Sequence, residues 1–315
     1  MARVAVVLMN LGGPDSPQAV RPFLVNLFSD PAIIGLPQPL RWLLARLIAS
    51  RRLTAARDIY NYLGGGSPLL ANTGAQAEAL ESELGADCRC FIAMRYWHPM
   101  TDETVAAVKA WQPDKVVCLP LYPQFSTTTT ASSLAKWRDE AGRQGLICKT
   151  GVVQPYPTAT GFVAALAGLI KPVLQKAMES HRTRLLLSAH GLPLKIVKAG
   201  DPYPGEVEQT ACAVVAALDC PDLDWAVCYQ SRVGPLAWLG PATDDEIRRA
   251  ARDGVAVVVA PISFVSEHSE TLVELDRDYR RLAEFSGVPG YYRVPTVGAD
   301  PRFIAALAEL VRDAA

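Results

Sequence analysis

The chain lacks an excess of charge of either sign: 31 Lys and Arg stand against 32 Asp and Glu, a formal net charge of -1. A polyanion partner needs a basic field, so nucleic-acid binding is excluded as the main activity. Histidine is scarce, with four in 315 residues. No apolar run approaches the roughly 20 residues of a membrane span. The short apolar stretch 4–9 is followed by Gly12-Gly13-Pro14 instead of a small-residue cleavage site, which argues against secretion. The seven cysteines are odd in number, and Cys118 and Cys228 sit inside apolar runs, a reduced, cytoplasmic pattern. Cys88 and Cys90 have no second close pair to complete a thiolate metal site and are read as incidental. What is present is apolar bulk: 50% of the residues are hydrophobic, enough at this length for two ordinary domains with large cores.

Short apolar or β-branched runs at 4–9, 116–121, 185–188, 225–229 and 255–262 alternate with longer stretches at 74–84, 101–111, 161–178, 206–218 and 267–285. In the longer stretches apolar residues recur at three- and four-residue spacing, as in helices. Continuous apolar strands separated by helices predict an α/β fold with parallel sheets covered on both faces. The order repeats, since an apolar strand opens onto a Gly-Pro loop at 4–14 and again at 185–193. We read two similar Rossmann-like lobes, 1–155 and 156–315, divided at the proline-rich Gln154-Pro155-Tyr156-Pro157, with the last helix free to pack back on the first lobe. Ligands of open parallel sheets bind beyond the carboxyl ends of the strands. Residues just past each strand are therefore the candidates.

Of the histidines, only His190 and His268 follow predicted strands. His181 ends a helix, where a ring able to carry positive charge suits the dipole, and His98 stays open. His190 precedes Gly191-Leu192-Pro193; an imidazole there can take a proton, bind a metal or serve as a hydrogen-bonded structural group. After Pro261-Ile262-Ser263-Phe264 the sequence turns acidic, and Glu267, Glu270 and Glu274 at i, i+3, i+7 share one face of a helix. An acidic first turn that complements the helix dipole would explain two of them, but Glu274 lies beyond it. Hydroxyls crowd from Ser126 to Ser133; one suffices to cap the following helix, and others can hydrogen-bond carboxylates of a ligand.

Seven segments occur in the order found in the ferrochelatase family: Leu8-Met9-Asn10-Leu11-Gly12-Gly13-Pro14, Gly64-Gly65-Gly66-Ser67-Pro68, Arg95-Tyr96-Trp97-His98-Pro99, Leu119-Pro120-Leu121-Tyr122-Pro123-Gln124, Ser188-Ala189-His190-Gly191-Leu192-Pro193, Tyr229-Gln230-Ser231-Arg232-Val233-Gly234-Pro235 and Ser266-Glu267-His268-Ser269-Glu270-Thr271. Over nearly its whole length the chain resembles that family. The resemblance implies a two-lobed chelatase fold with a porphyrin cleft, and insertion of Fe(II) into protoporphyrin IX with release of two pyrrole protons. The residues matching His190 and Glu270 would be catalytic, and His190, Glu270 and Glu274 would handle the metal. His268 and Glu267 would extend an acidic route for iron or protons. Oxygen and nitrogen donors suit a metal that must be released again, whereas thiolates would hold iron too firmly.

By the same matching, Leu11 and Trp238 would line the ring pocket, with Tyr60, Arg95 and Ser126 near it. Residues 31–53 resemble the family's active-site lip: Leu40, Trp42, Leu43, Leu44, Leu47 and Ile48 form an apolar stripe, which suits core packing or peripheral membrane contact. Arg51 and Arg52 are candidates for the porphyrin propionates. Several relatives carry a [2Fe-2S] cluster on C-terminal cysteines; no cysteine follows Cys228 here, so no such cluster and no permanently bound cofactor is expected, Fe(II) being a substrate. The first loop resembles enzymes that use protoporphyrin IX more than those that use coproporphyrin. Alternatives are a coproporphyrin ferrochelatase, a cobalt or nickel tetrapyrrole chelatase, and a noncatalytic tetrapyrrole carrier. The expected setting is cytoplasmic with peripheral membrane association, as a monomer or homodimer.

Overall fold

Each half of the chain lays its most apolar segments side by side as a parallel sheet. The structure, a computed structural model, describes residues 2–315. One compact unit takes in the chain up to Tyr122, Ser126–Gln154 and Leu307–Ala315; the other takes in Pro123–Phe125 and Pro155–Ala306.

The first unit runs β1 (Val4–Asn10), α1 (Val20–Phe28), α2 (Gln38–Tyr62), α3 (Leu69–Leu84), β2 (Cys88–Met94), α4 (Thr101–Trp111), β3 (Lys115–Pro120), a π-helical turn (Thr127–Ala131), α5 (Ser132–Gln144) and β4 (Lys149–Val152). Its strands pair in parallel in the order β2-β1-β3-β4. The central β1 and β3 are buried because both faces are covered: Ala5, Val7, Val116 and Cys118 pack with Val105, Val108 and Trp137. β2 escapes prediction from sequence because it is an edge strand, Cys-Arg-Cys-Phe-Ile-Ala-Met, partly exposed along most of its length.

The second unit runs α6 (Thr160–Met178), β5 (Thr183–His190), α7 (Leu194–Lys198), α8 (Tyr203–Leu218), β6 (Asp224–Gln230), α9 (Thr243–Asp253), β7 (Ala256–Pro261), a π-helix (Glu270–Asp278), α10 (Tyr279–Ser286), β8 (Tyr291–Arg293) and α11 (Pro301–Ala314), whose last residues count with the first unit. The strand order is β6-β5-β7-β8, all parallel, the same order as in the first sheet. Its core joins Leu186, Val257 and Val259 to Ile247, Ala250, Leu275 and Ala283. Two expectations need correction. α6 is a 19-residue helix apolar enough by composition to cross a membrane, but Phe162, Leu166, Ile170 and Leu174 are buried inside the unit, so it is a core helix. The helix expected over 267–285 starts later and is wound as a π-helix through Asp278. A period near 4.4 residues cannot be told from 3.6 over two turns of sequence.

Placement follows from topology. The chain leaves β5 through α7 and α8 to reach β6 on one side, then passes through α9 to reach β7 on the other. The switch point lies between β5 and β7, where connections diverge and leave a crevice at the carboxyl ends of the strands. His190 is the last residue of β5, paired with Gln230 of β6, and the loop after β7 leads to Glu270.

Candidate active site

At this switch point one carboxylate stands between two imidazoles. Glu270 Oε1 lies 3.5 Å from His190 Nε2, and Glu270 Oε2 lies 3.6 Å from His268 Nε2. Each ring is oriented from its far side: His190 Nδ1 is 2.6 Å from the Gly191 carbonyl and His268 Nδ1 is 3.0 Å from the Ser266 carbonyl. A carbonyl only accepts, so both Nδ1 atoms carry the proton and both Nε2 atoms face the carboxylate. Phe264 packs beside the pair, its ring 6.3 Å from His190 and 4.7 Å from His268. The His190 and Glu270 side chains keep 40% and 28% of their surface, so a ligand can reach them.

Charge couples the pair. Burial disfavours the imidazolium of His190, but the facing Glu270 carboxylate outweighs it, aided by the Gly191 carbonyl and Glu274, and pushes the His190 pKa up to about 9. Burial would raise Glu270, yet His190 and then His268 hold its carboxyl far below the usual carboxylate range. Near neutral pH the resting pair is therefore imidazolium and carboxylate. Among the described residues no three His, Cys, Asp or Glu side chains converge into a closed metal cage.

Glu274 sits one π-turn further on and is held differently. It accepts from Ser231 N at 2.8 Å, Ser231 Oγ at 2.5 Å, Gln230 Nε2 at 3.2 Å and Tyr279 Oη at 3.0 Å. Four donors fill the roughly four lone-pair sites of a carboxylate. Burial and the Glu270 charge raise its pKa. Ser231 takes a left-handed backbone, φ 62°, and so turns both its amide and its hydroxyl onto Glu274. Replacing Glu274 by Ala would take the acceptor from four buried or half-buried donors, of which only Gln230 Nε2 keeps another, the Glu270 carbonyl at 3.1 Å. We expect a loss of about 3 kcal/mol of stability, read as a lower urea midpoint with an unchanged slope.

Glu267 does not share the face with Glu270 and Glu274 that its spacing implied. It precedes the π-helix, and its Oε1 accepts from Arg293 Nη1 at 2.8 Å and Thr296 N at 3.0 Å. Gly191 is confined: a Cβ there would lie 2.8 Å from the Gln230 carbonyl oxygen and 3.4 Å from Trp238. Trp238 is half-buried, and its indole N–H has no partner among the described residues.

The remaining porphyrin-site candidates belong to the first unit. Arg51 and Arg52 are exposed on α2, and Tyr60, near its end, is buried. Leu11 is half-buried just past β1. Arg95 is not a free guanidinium, since Nη2 donates to Asp30 and Nε to Ser132. Ser126 is buried and caps the π-helical turn, its hydroxyl accepting from Thr128 N at 3.2 Å. His98 is exposed and paired with Glu103 at 2.9 Å. Cys88 and Cys90 are free thiols, and burial, with Glu81 and Cys88 adding to it, pushes Cys90 up to about 12, which disfavours a thiolate site. Sequence reasoning missed Asp30, Gln230, Ser231 and Tyr279. The signal for Ser231 lay in its place directly after a strand, as with His190.

A model of the ferrochelatase family matches residues 3–315. The chain belongs to the ferrochelatase family. The ferrochelatase of Caulobacter vibrioides (strain NA1000 / CB15N) is 55% identical, over 99% of this chain and 90% of that protein. That of Wolbachia sp. subsp. Drosophila simulans (strain wRi) is 51% identical, over 97% of this chain and 98% of that protein. Among solved structures, the sirohydrochlorin chelatase SirB of Bacillus subtilis in complex with cobalt superposes with a TM-score of 0.59 at 13% identity, covering 99% of this chain and 95% of that one. At that identity the likeness concerns the fold.

Proposed function

We propose that this chain inserts ferrous iron into protoporphyrin IX to form protohaem, with loss of two pyrrole protons. The observation that carries the reading is Glu270 set between the Nε2 atoms of His190 and His268 at a sheet switch point, in a member of the ferrochelatase family. Fe(II) enters the reaction as a substrate. Insertion replaces two N–H bonds by metal–nitrogen bonds, so two protons must leave as iron arrives. His190 Nε2 and the Glu270 oxygens supply the acceptors, and His268 offers the next nitrogen along the line. Because the resting His190 is protonated, its proton must first pass through Glu270 to His268 Nε2, after which His190 and Glu270 can take the two from the pyrroles. The same donors bind Fe(II) loosely enough to give it up. Glu274, saturated by its four donors, keeps the π-helix in place against the end of β6.

Purified protein mixed with Fe(II) and protoporphyrin IX without oxygen is expected to form protohaem, read by its absorption spectrum. Porphyrin binding without haem formation would favour a tetrapyrrole carrier. Faster insertion of cobalt or nickel into a related tetrapyrrole, or preference for coproporphyrin, would overturn the substrate assignment.

We also infer peripheral membrane contact through α2 from the cytoplasmic side. Leu40, Trp42, Leu43 and Leu47 are 57%, 45%, 58% and 47% exposed, Arg46 stacks 3.9 Å over Trp42, and Arg51 and Arg52 follow. An apolar stripe bordered by arginines fits the interface of an anionic bilayer. Flotation with vesicles containing anionic lipid should carry the protein upward, and Leu43→Glu should abolish that without changing insertion into detergent-dissolved porphyrin.

A further inference from the structure

A second buried carboxylate has no part in the reaction just described. Asp30 is 3% exposed and lies between α1 and the segment 31–37 that leads into α2. Its Oδ2 accepts from Arg95 Nη2 at 2.6 Å, Tyr96 Oη at 2.7 Å and Ser132 Oγ at 2.6 Å. Its Oδ1 accepts from the Ala32 amide at 2.8 Å. The Ser132 hydroxyl also accepts from Arg95 Nε at 2.8 Å, which closes Asp30, Arg95 and Ser132 into a ring. The Asp30 carbonyl takes the amides of Ile33 and Ile34 at 3.1 and 2.9 Å. One residue thus ties the start of the 31–37 segment to the residues after β2 and to the first turn of α5.

What this node holds still is more telling than what it stabilises. Desolvation offsets most of the attraction in a buried ion pair, so its net contribution to stability is small, and fixing a single geometry is its better use. Tyr96, 1% exposed, packs with Val20, Phe23, Ala49 and Tyr60, with Leu11 and Leu53 against them. The amides of Arg95 and Tyr96 donate to the carbonyls of Asn10 and Leu11 at 2.9 and 3.0 Å. Tyr96 is therefore the platform on which the inner side of α2 rests, and it also holds the backbone of Leu11.

We propose that Asp30 is a positioning residue for porphyrin binding, setting Leu11, Tyr60 and the base of α2 in one arrangement through Tyr96 and Arg95. The proposal rests on the porphyrin reading of the site given above. Asp30 acts on affinity for the macrocycle and leaves the metal-insertion step alone.

Asp30→Asn keeps the shape, removes the charge and turns one acceptor into a donor facing other donors. The KM for protoporphyrin, and its Kd by fluorescence quenching, should rise about tenfold or more, the size expected for lost charge-assisted hydrogen bonds, while kcat stays within about threefold. A folded variant with wild-type KM and Kd overturns the proposal, as does one with lowered kcat and unchanged KM. Should Asp30→Asn not fold, Tyr96→Phe removes one donor and Ser132→Ala one donor together with the acceptor of Arg95 Nε, and both spare the Asp30–Arg95 ion pair. Each should raise Kd about threefold, and together less than the product, as expected of residues sharing one partner; unchanged Kd in both overturns the proposal. Wild-type protein that binds porphyrin but makes no haem would sink the proposed activity and leave these Kd comparisons decisive. Wild-type protein that binds no porphyrin would overturn both.

Discussion

His190→Ala should lower the rate of haem formation by about 10²–10⁴-fold, the range of a positioned general acid–base group, with the porphyrin Kd nearly unchanged. The reason is geometric. His190 ends β5, its Nδ1 is fixed by the Gly191 carbonyl, and its Nε2 is the nitrogen aimed at Glu270. Removing the ring leaves Glu270 with His268 alone to accept both protons, and takes away the acceptor on the His190 side of the carboxylate. The alanine should fold, because half-exposed His190 contributes little to the core. Rates measured in single turnover with preloaded porphyrin separate this loss from binding. A variant that makes haem at the wild-type rate would remove His190 from the mechanism.

Glu270→Gln should be comparably inactive, and its diagnostic feature is a displaced pH profile. Without the carboxylate the main influence opposing burial is gone, and the His190 pKa should fall from about 9 by roughly two units or more. If neutral His190 is the competent form, the acid limb of residual activity moves to lower pH by the same amount, and the His190 ring resonances titrate there. Stability carries the same signature. His190 binds its proton more tightly when folded, so its contribution is complete below about 6.5 and lost as pH rises through about 9. Glu270 is shifted downward, so its contribution is complete above the ordinary carboxylate range and lost as pH falls through its depressed value. Wild type should thus lose stability between about pH 6.5 and 9 where Glu270→Gln does not, as followed by urea midpoints across that range.

The strands most legible in the sequence were those buried on both faces. β1, β3, β5 and β7 read as continuous apolar runs, since a central parallel strand has helices above and below it. β2, β4 and β8, edge strands that are short or partly exposed, did not, whereas β6, also at an edge, was legible from its apolar run 225–229. Positions just past a strand were likewise readable, and that is why His190, His268 and Glu270 stood out. Asp30 did not, since nothing local marks a carboxylate whose partners are 65, 66 and 102 residues away.

The excess of apolar residues, the strand–helix alternation and the repeat of its order were determined by the sequence itself, because burial and backbone periodicity act over a few neighbouring residues. The motifs carried the family for the same reason, as short segments in a set order. Tertiary structure decided which groups meet and in what state. It put Glu270 between two imidazoles, whose charge keeps it ionised, yet it surrounded Glu274 with donors and drew Glu267 off to Arg293. Three glutamates alike in sequence became three different groups, because the charge state and free lone pairs of a carboxylate are set by what lies within a few ångströms of it, and those neighbours come from distant parts of the chain.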